Sequence, residues 1–152
     1  MRIFKKNIFL VFIYLSIFTF IISGCNEISQ GLQRKKFEFL YKMSNYASLF
    51  REYTGGISYS EDLDIYEKRM SKLYEDVSKM EDIDGYKTSG ELKDKFLIVI
   101  QENIRTADII RQKRLIPKEN IRNESEVMIM NDRADNFIKE LNEEISKVGK
   151  EQ

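Results

Sequence analysis

The sequence predicts an all-α protein, an antiparallel up-down four-helix bundle behind an apolar leader. Three observations carry that expectation. Four segments beyond residue 31 repeat their apolar residues at steps of three and four, the spacing that stacks side chains on one face of a helix. No stretch shows the period-two alternation of a half-buried strand. The segments are separated by short runs holding glycine, serine or the single proline, Pro117, and short connections make neighbouring helices antiparallel.

The chain opens "MRIFKKNIFLVFIYLSIFTFIISGCNE". Arg2, Lys5 and Lys6 form a basic start. Ile8 to Ile22 run apolar except at Ser16 and Thr19, Ser23 and Gly24 are small, and Cys25 is the only cysteine. A basic stretch, an apolar stretch and small residues at its end are the pattern of a secretory signal. The apolar run is shorter than the about 20 residues of a spanning helix, and Cys25 has no disulfide partner within the chain. Ile22-Ser23-Gly24-Cys25 resembles the lipobox of bacterial lipoprotein signal peptides: aliphatic, small, small, cysteine, with Ile22 where leucine is commoner. The resemblance implies that the Cys25 thiol receives a diacylglycerol group. It implies that a peptidase recognising Ile22, Ser23 and Gly24 cuts before Cys25, which becomes the lipidated first residue. It covers the leader alone; residues 26–152 carry no family's motif.

The expected organisation is a signal peptide over 1–24, a lipidated cysteine and short polar tether over 25–31, and a bundle domain over 32–149. Segment one runs from about Leu32 to Tyr53. Phe39, Met43, Tyr46, Phe50 and Tyr53 form its stripe, and Phe37, Leu40, Tyr41, Ala47 and Leu49 widen it. Gly55 and Gly56 can supply a left-handed cap. Segment two runs from about Glu61 to Ile83 on Leu63, Tyr66, Met70, Leu73, Val77 and Met80, capped by Ser58 with Glu61 or by Ser60, and ended by Gly85. Segment three opens on the capping-box pair Thr88 and Glu91 and runs to Ile116 on Leu92, Phe96, Val99, Ile100, Ile104, Ala107 and Ile110. Pro117 limits it, because the residue before proline resists the helical conformation. Segment four runs from about Glu124 to Val148 on Val127, Met130, Ala134, Phe137, Leu141, Ile145 and Val148, with Asn123 or Ser125 as N-cap.

Composition excludes several function classes. Lysine plus arginine equals aspartate plus glutamate, 25 of each. The leader holds three of the basic residues and no acid, so the mature chain is slightly acidic and lacks the footprint of a nucleic-acid binder. Histidine is absent, which removes the Glu-x-x-His site of ferritin-like bundles and the usual base for a nucleophile. No P-loop pattern occurs.

The sharpest local motif is "MEDIDGYKTSGE", Met80 to Glu91. With Gly85 at the sixth position of a calcium loop, Asp82, Asp84 and Glu91 fall at the third, fifth and twelfth, between two helices. Met80 stands where the loop wants aspartate, and Lys87 where it wants an apolar residue. A helix end, a cap and solvated acids explain the same residues. Met128 and Met130 offer soft thioethers for Cu(I), but Met130 lies on a core stripe, where methionine fills gaps. Tyr59, Tyr74 and Tyr86 fall off the stripes and are candidate contact residues. Arg105, Arg111, Lys113 and Arg114 complement the dipole at the end of segment three, a simpler reading than a phosphate or lipid-head contact.

The expectation for function is a non-enzymatic, membrane-anchored lipoprotein, extracytoplasmic at a cell-membrane or outer-membrane surface. It needs no cofactor beyond the diacylglycerol on Cys25. Its partner would be an envelope, host or mobile-element protein and not nucleic acid. The alternative is a lipoprotein binding a small ligand or a metal through the bundle interior or the Asp82–Glu91 loop.

Overall fold

The computed structural model describes the backbone of residues 3–57, 63–114 and 124–150, and the side chains of 30–57, 63–112 and 125–150. Four helices follow one another: α1 (Ile3–Gly56), α2 (Leu63–Ser78), α3 (Thr88–Arg114) and α4 (Glu124–Lys150). The chain divides into two compact units, residues 1–35 and 36–152. The first is the leading part of α1. The second is the bundle, made by the rest of α1 with α2, α3 and α4.

The stripes form the bundle's core. Phe39, Met43 and Phe50 of α1 are buried, as are Leu63, Tyr66, Met70, Leu73 and Val77 of α2. Leu92, Phe96, Ile100, Ala107 and Ile110 of α3 meet Met130, Ala134, Phe137, Leu141 and Val148 of α4. At the centre three rings join three helices. Phe96 lies edge-on to Phe50, with centroids 5.5 Å apart and planes at 86°. It stacks on Phe137 at 4.3 Å and 5°.

Polar contacts fix the helix directions. Lys95 pairs with Glu140, and Arg133 with Glu102, so α3 and α4 run opposite ways. Arg111 pairs with Asp64 and Glu67, while Lys93 pairs with Asp82 beyond the end of α2, so α2 opposes α3. Lys36 sits 5.2 Å over the Tyr86 ring, whose hydroxyl donates to Glu144, and Arg51 pairs with Asp135. Thus α1 opposes α4. The topology is up-down-up-down.

Four expectations are corrected. First, α1 passes through Gly55 and Gly56 as helix. Thr54 turns inward and donates to the Phe50 carbonyl at 2.8 Å, and Ile57 is buried just beyond, so the last turn is held by packing and needs no left-handed cap. Second, α2 ends at Ser78, not near Ile83. Met80 N–H bonds the Val77 carbonyl at 3.0 Å, a tightened final turn, and Met80 stays in the core from outside the helix. Gly85 serves a separate turn, in which Tyr86 N–H bonds the Ile83 carbonyl at 2.9 Å. Its φ of 80° at the third turn position is the left-handed value that glycine adopts without strain. Third, the start of α3 is tied by Ser89 rather than Thr88. Ser89 Oγ accepts from Ile83 N–H at 2.8 Å and donates to the Tyr86 carbonyl at 2.7 Å. Fourth, Tyr41 and Leu49 are exposed. At about 100° per residue, Tyr41 lies roughly opposite Phe39 and Leu49 about a quarter turn from Phe50. The expected caps Ser58, Ser60, Glu61 and Asn123, and Pro117, lie outside the described residues; Ser125 lies inside α4.

Phe96→Ala removes the shared member of both ring pairs. Urea denaturation is expected to show a loss of about 3–5 kcal/mol. Gly85→Ala is expected to cost about 1–2 kcal/mol in the same assay, the price of a left-handed L-residue.

Candidate functional site

Two places concentrate polar groups: a layer inside the bundle and the loop over 79–87. The layer draws on all four helices. Thr54 of α1, Tyr66 of α2, and Asn103 and Thr106 of α3 are buried. Arg133 of α4 closes the margin.

Most of these groups find partners. Asn103 Nδ2 donates to the Met130 carbonyl at 3.2 Å, and its Oδ1 accepts from Arg133 Nη1 at 3.4 Å. The same Arg133 nitrogen donates to Thr106 Oγ1 at 2.9 Å, and Thr106 donates to the Glu102 carbonyl at 2.9 Å. Arg133 Nε completes the set with Glu102 Oε2 at 3.2 Å. Tyr66 differs. The residue is 2% exposed, and its hydroxyl has no partner at full hydrogen-bond geometry. Thr54 and Asn103 approach it. Burial, the dominant cause, pushes the phenol well above its usual range, against the weaker opposing pull of Thr54 and Asn103.

Arginines surround this half of the bundle. Arg111 Nη2 meets Glu67 at 2.7 Å and Asp64 at 2.8 Å, while its Nη1 meets Asp108 at 2.7 Å. Hydrogen bonding to Glu67, reinforced by Asp64, holds its guanidinium above its ordinary range. Arg51 ties α1 to α4 through Asn131 Oδ1 at 2.5 Å and Asp135 at 2.6 Å. Arg69 of α2 lies 5.4 Å over the Tyr53 ring of α1. Arg111, read from the sequence as a complement to the helix dipole ahead of a phosphate or lipid-head contact, is a cross-link between α2 and α3. Lys113 and Arg114 have side chains outside the described set.

The loop places the other residues read from the sequence. Asp82 turns toward α3 and pairs with Lys93. Glu91 pairs with Lys87 at 3.1 Å, and Asp84 is exposed. The structure therefore does not gather Asp82, Asp84 and Glu91 into one ligand set. Among the described residues no group of three or more His, Cys, Asp or Glu is placed to hold a metal ion. Tyr86, a candidate contact residue, is buried, and its hydroxyl donates to Glu144 Oε1 at 2.8 Å. Met130 is buried and Met128 exposed, on different faces of α4. Tyr74 packs against the core, and Tyr59 lies outside the described residues. Ile22, Ser23, Gly24 and Cys25 belong to the helical backbone of α1, and their side chains lie outside the described ones. Among the described residues no helix is long and apolar enough to cross a membrane.

The interior layer was missed from the sequence, although its signal is there. Asn103 and Thr106 sit between Ile100 and Ile110 at the same three-and-four steps as the core. A polar residue in phase with an apolar stripe is a candidate for a buried, satisfied group.

Tyr66 yields a pH prediction. Its folded value lies above the unfolded value of about 10, so its contribution is complete below about pH 10 and is lost as pH rises from there. Relative to Tyr66→Phe, the native chain is expected to lose stability only above about pH 10. At neutral pH the substitution is expected to change stability by less than about 1 kcal/mol, because the hydroxyl it removes has no full hydrogen bond to forfeit. Paired urea titrations at pH 7 and above pH 10 check both.

Comparison with known protein families, with curated proteins and with solved structures gives no match.

Proposed function

We propose that this chain is a membrane-anchored bacterial lipoprotein whose helical body is a non-enzymatic interaction module of the cell envelope. The observation that carries the reading is Ile22-Ser23-Gly24-Cys25 at the end of a basic-then-apolar leader. Lipidation there spends the only cysteine, and the chain has no histidine, so the strongest nucleophile and the commonest base are both removed from the chemistry of the body.

The surface of the bundle supports a contact role. Ile65 near the start of α2, Ile109 near the end of α3, and Met128 and Ile129 near the start of α4 are large, apolar and exposed. The antiparallel topology puts these stretches at one end of the bundle, opposite the end where Lys36 meets Tyr86. Exposed apolar groups with charged neighbours suit a protein partner. The partner class is an envelope, host or mobile-element protein.

Mass spectrometry of the native N-terminal peptide is expected to find Cys25 as the first residue, carrying two or three acyl chains. An intact Met1 or an unmodified Cys25 thiol would overturn the lipoprotein reading. Proximity labelling in the native cell is expected to enrich a protein over a lipid-anchor control. The double substitution Ile109→Glu, Met128→Glu is expected to remove that enrichment while the helical circular dichroism stays unchanged.

A further inference from the structure

The loop between α2 and α3 is organised around a positive charge that the chain itself supplies. Lys93, in the second turn of α3, reaches back over the loop. Its Nζ donates to the Met80 carbonyl at 3.2 Å and pairs with Asp82 Oδ1. The lysine side chain is only 16% exposed. Gly90 gives Asp82 room to lie against the helix, since a Cβ there would stand 3.3 Å from Asp82 Oδ2. In the calcium-loop register Asp82 is the third-position carboxylate, while Met80, at the first, offers only its backbone carbonyl where that loop uses a side-chain carboxylate. The ammonium thus rests on a backbone carbonyl and a carboxylate oxygen, both hard oxygen donors of the kind a divalent cation takes. Ammonium is a compact point charge with rotatable donors, and its apolar stem tolerates burial.

We propose that Lys93 is the resident cation of this loop. Its ammonium stands in for a divalent ion, closes residues 79–87 without one, and competes with added metal for Asp82 and the Met80 carbonyl. The closed loop then carries the Ile83–Tyr86 turn, the Ser89 tie and the Tyr86 contact to Glu144. The other two acids stand apart, Glu91 held by Lys87 and Asp84 in solvent.

Amide exchange of the full chain tests this at Ile83 and Tyr86, whose N–H groups bond Ser89 Oγ and the Ile83 carbonyl. In the native chain, exchange at both is expected to be unmoved by millimolar calcium chloride. Lys93→Met is expected to speed both about tenfold, the size of losing a charged hydrogen bond, and millimolar calcium is expected to reverse part of that gain. Lys93→Arg is expected to stay slow. Exchange at Phe96, deep in α3, reports whether the bundle itself remains folded. If Lys93→Met unfolds it, Asp82→Asn serves instead, with the expected result that exchange quickens and calcium does not reverse it. Native protection that rises with calcium overturns the proposal. So does Lys93→Met exchanging at the native rate, or accelerating in a way that calcium leaves untouched.

Discussion

Phe96 sets the geometry on which the bundle depends. It meets Phe50 edge-on and Phe137 face-on, and both arrangements hold at one rotation and one height of α3 against α1 and α4. Each ring pair contributes about 0.5–1.5 kcal/mol beyond the area it buries. Two different interiors follow from that level. Toward Lys36 the core is mostly apolar, with Leu40, Met43, Leu92, Leu141 and Val148, and Ser89 is its buried polar residue. Toward the other end it mixes Ile57, Ile110 and Met130 with Thr54, Tyr66, Asn103 and Thr106.

The polar half is bridged between every pair of neighbouring helices. Arg51 joins α1 to α4, Arg69 reaches α1 from α2, Arg111 joins α3 to α2, and Arg133 joins α4 to α3. Exposed ion pairs add little stability singly. Their larger effect is selective. A slip of α4 along α3 would carry Arg133 and the Met130 carbonyl away from Asn103 and Thr106, leaving buried groups unpaired at about 1–3 kcal/mol each. The layer therefore penalises alternative registers more than it deepens the native one, as buried polar residues do where they fix a helix pairing.

The fold was legible in the sequence because each helix repeats its apolar residues over many turns. The α2 stripe from Leu63 to Met80 is buried throughout, although its last member lies beyond the helix. Periodicity reports which side chains enter the core, while the helix end is decided by short-range bonds such as Met80 N–H to Val77. The loop was legible as acids around a glycine, but the identity of its counter-charge was not. Lys93 lies eleven residues from Asp82, and only the helix reversal brings them together. The interior layer was legible only in part, since Asn103 and Thr106 keep the phase of the α3 stripe while Thr54, Tyr66 and Arg133 join them only when the helices pack. The resemblance of Ile22-Ser23-Gly24-Cys25 to a lipobox is local, and it can be read without a fold.

One consequence follows from the residue types that hold this bundle together. Residues 36–152 contain neither histidine nor cysteine, and the cross-links on the polar half are guanidinium groups, which stay charged in any aqueous environment a cell meets. Ordinary carboxylates titrate near pH 4, and tyrosine and lysine near 10. Residues 36–152 therefore hold no side chain whose unperturbed pKa lies between about 5 and 8, the range that histidine serves. The imidazole on which switches near neutral pH are commonly built is missing from the whole bundle sequence.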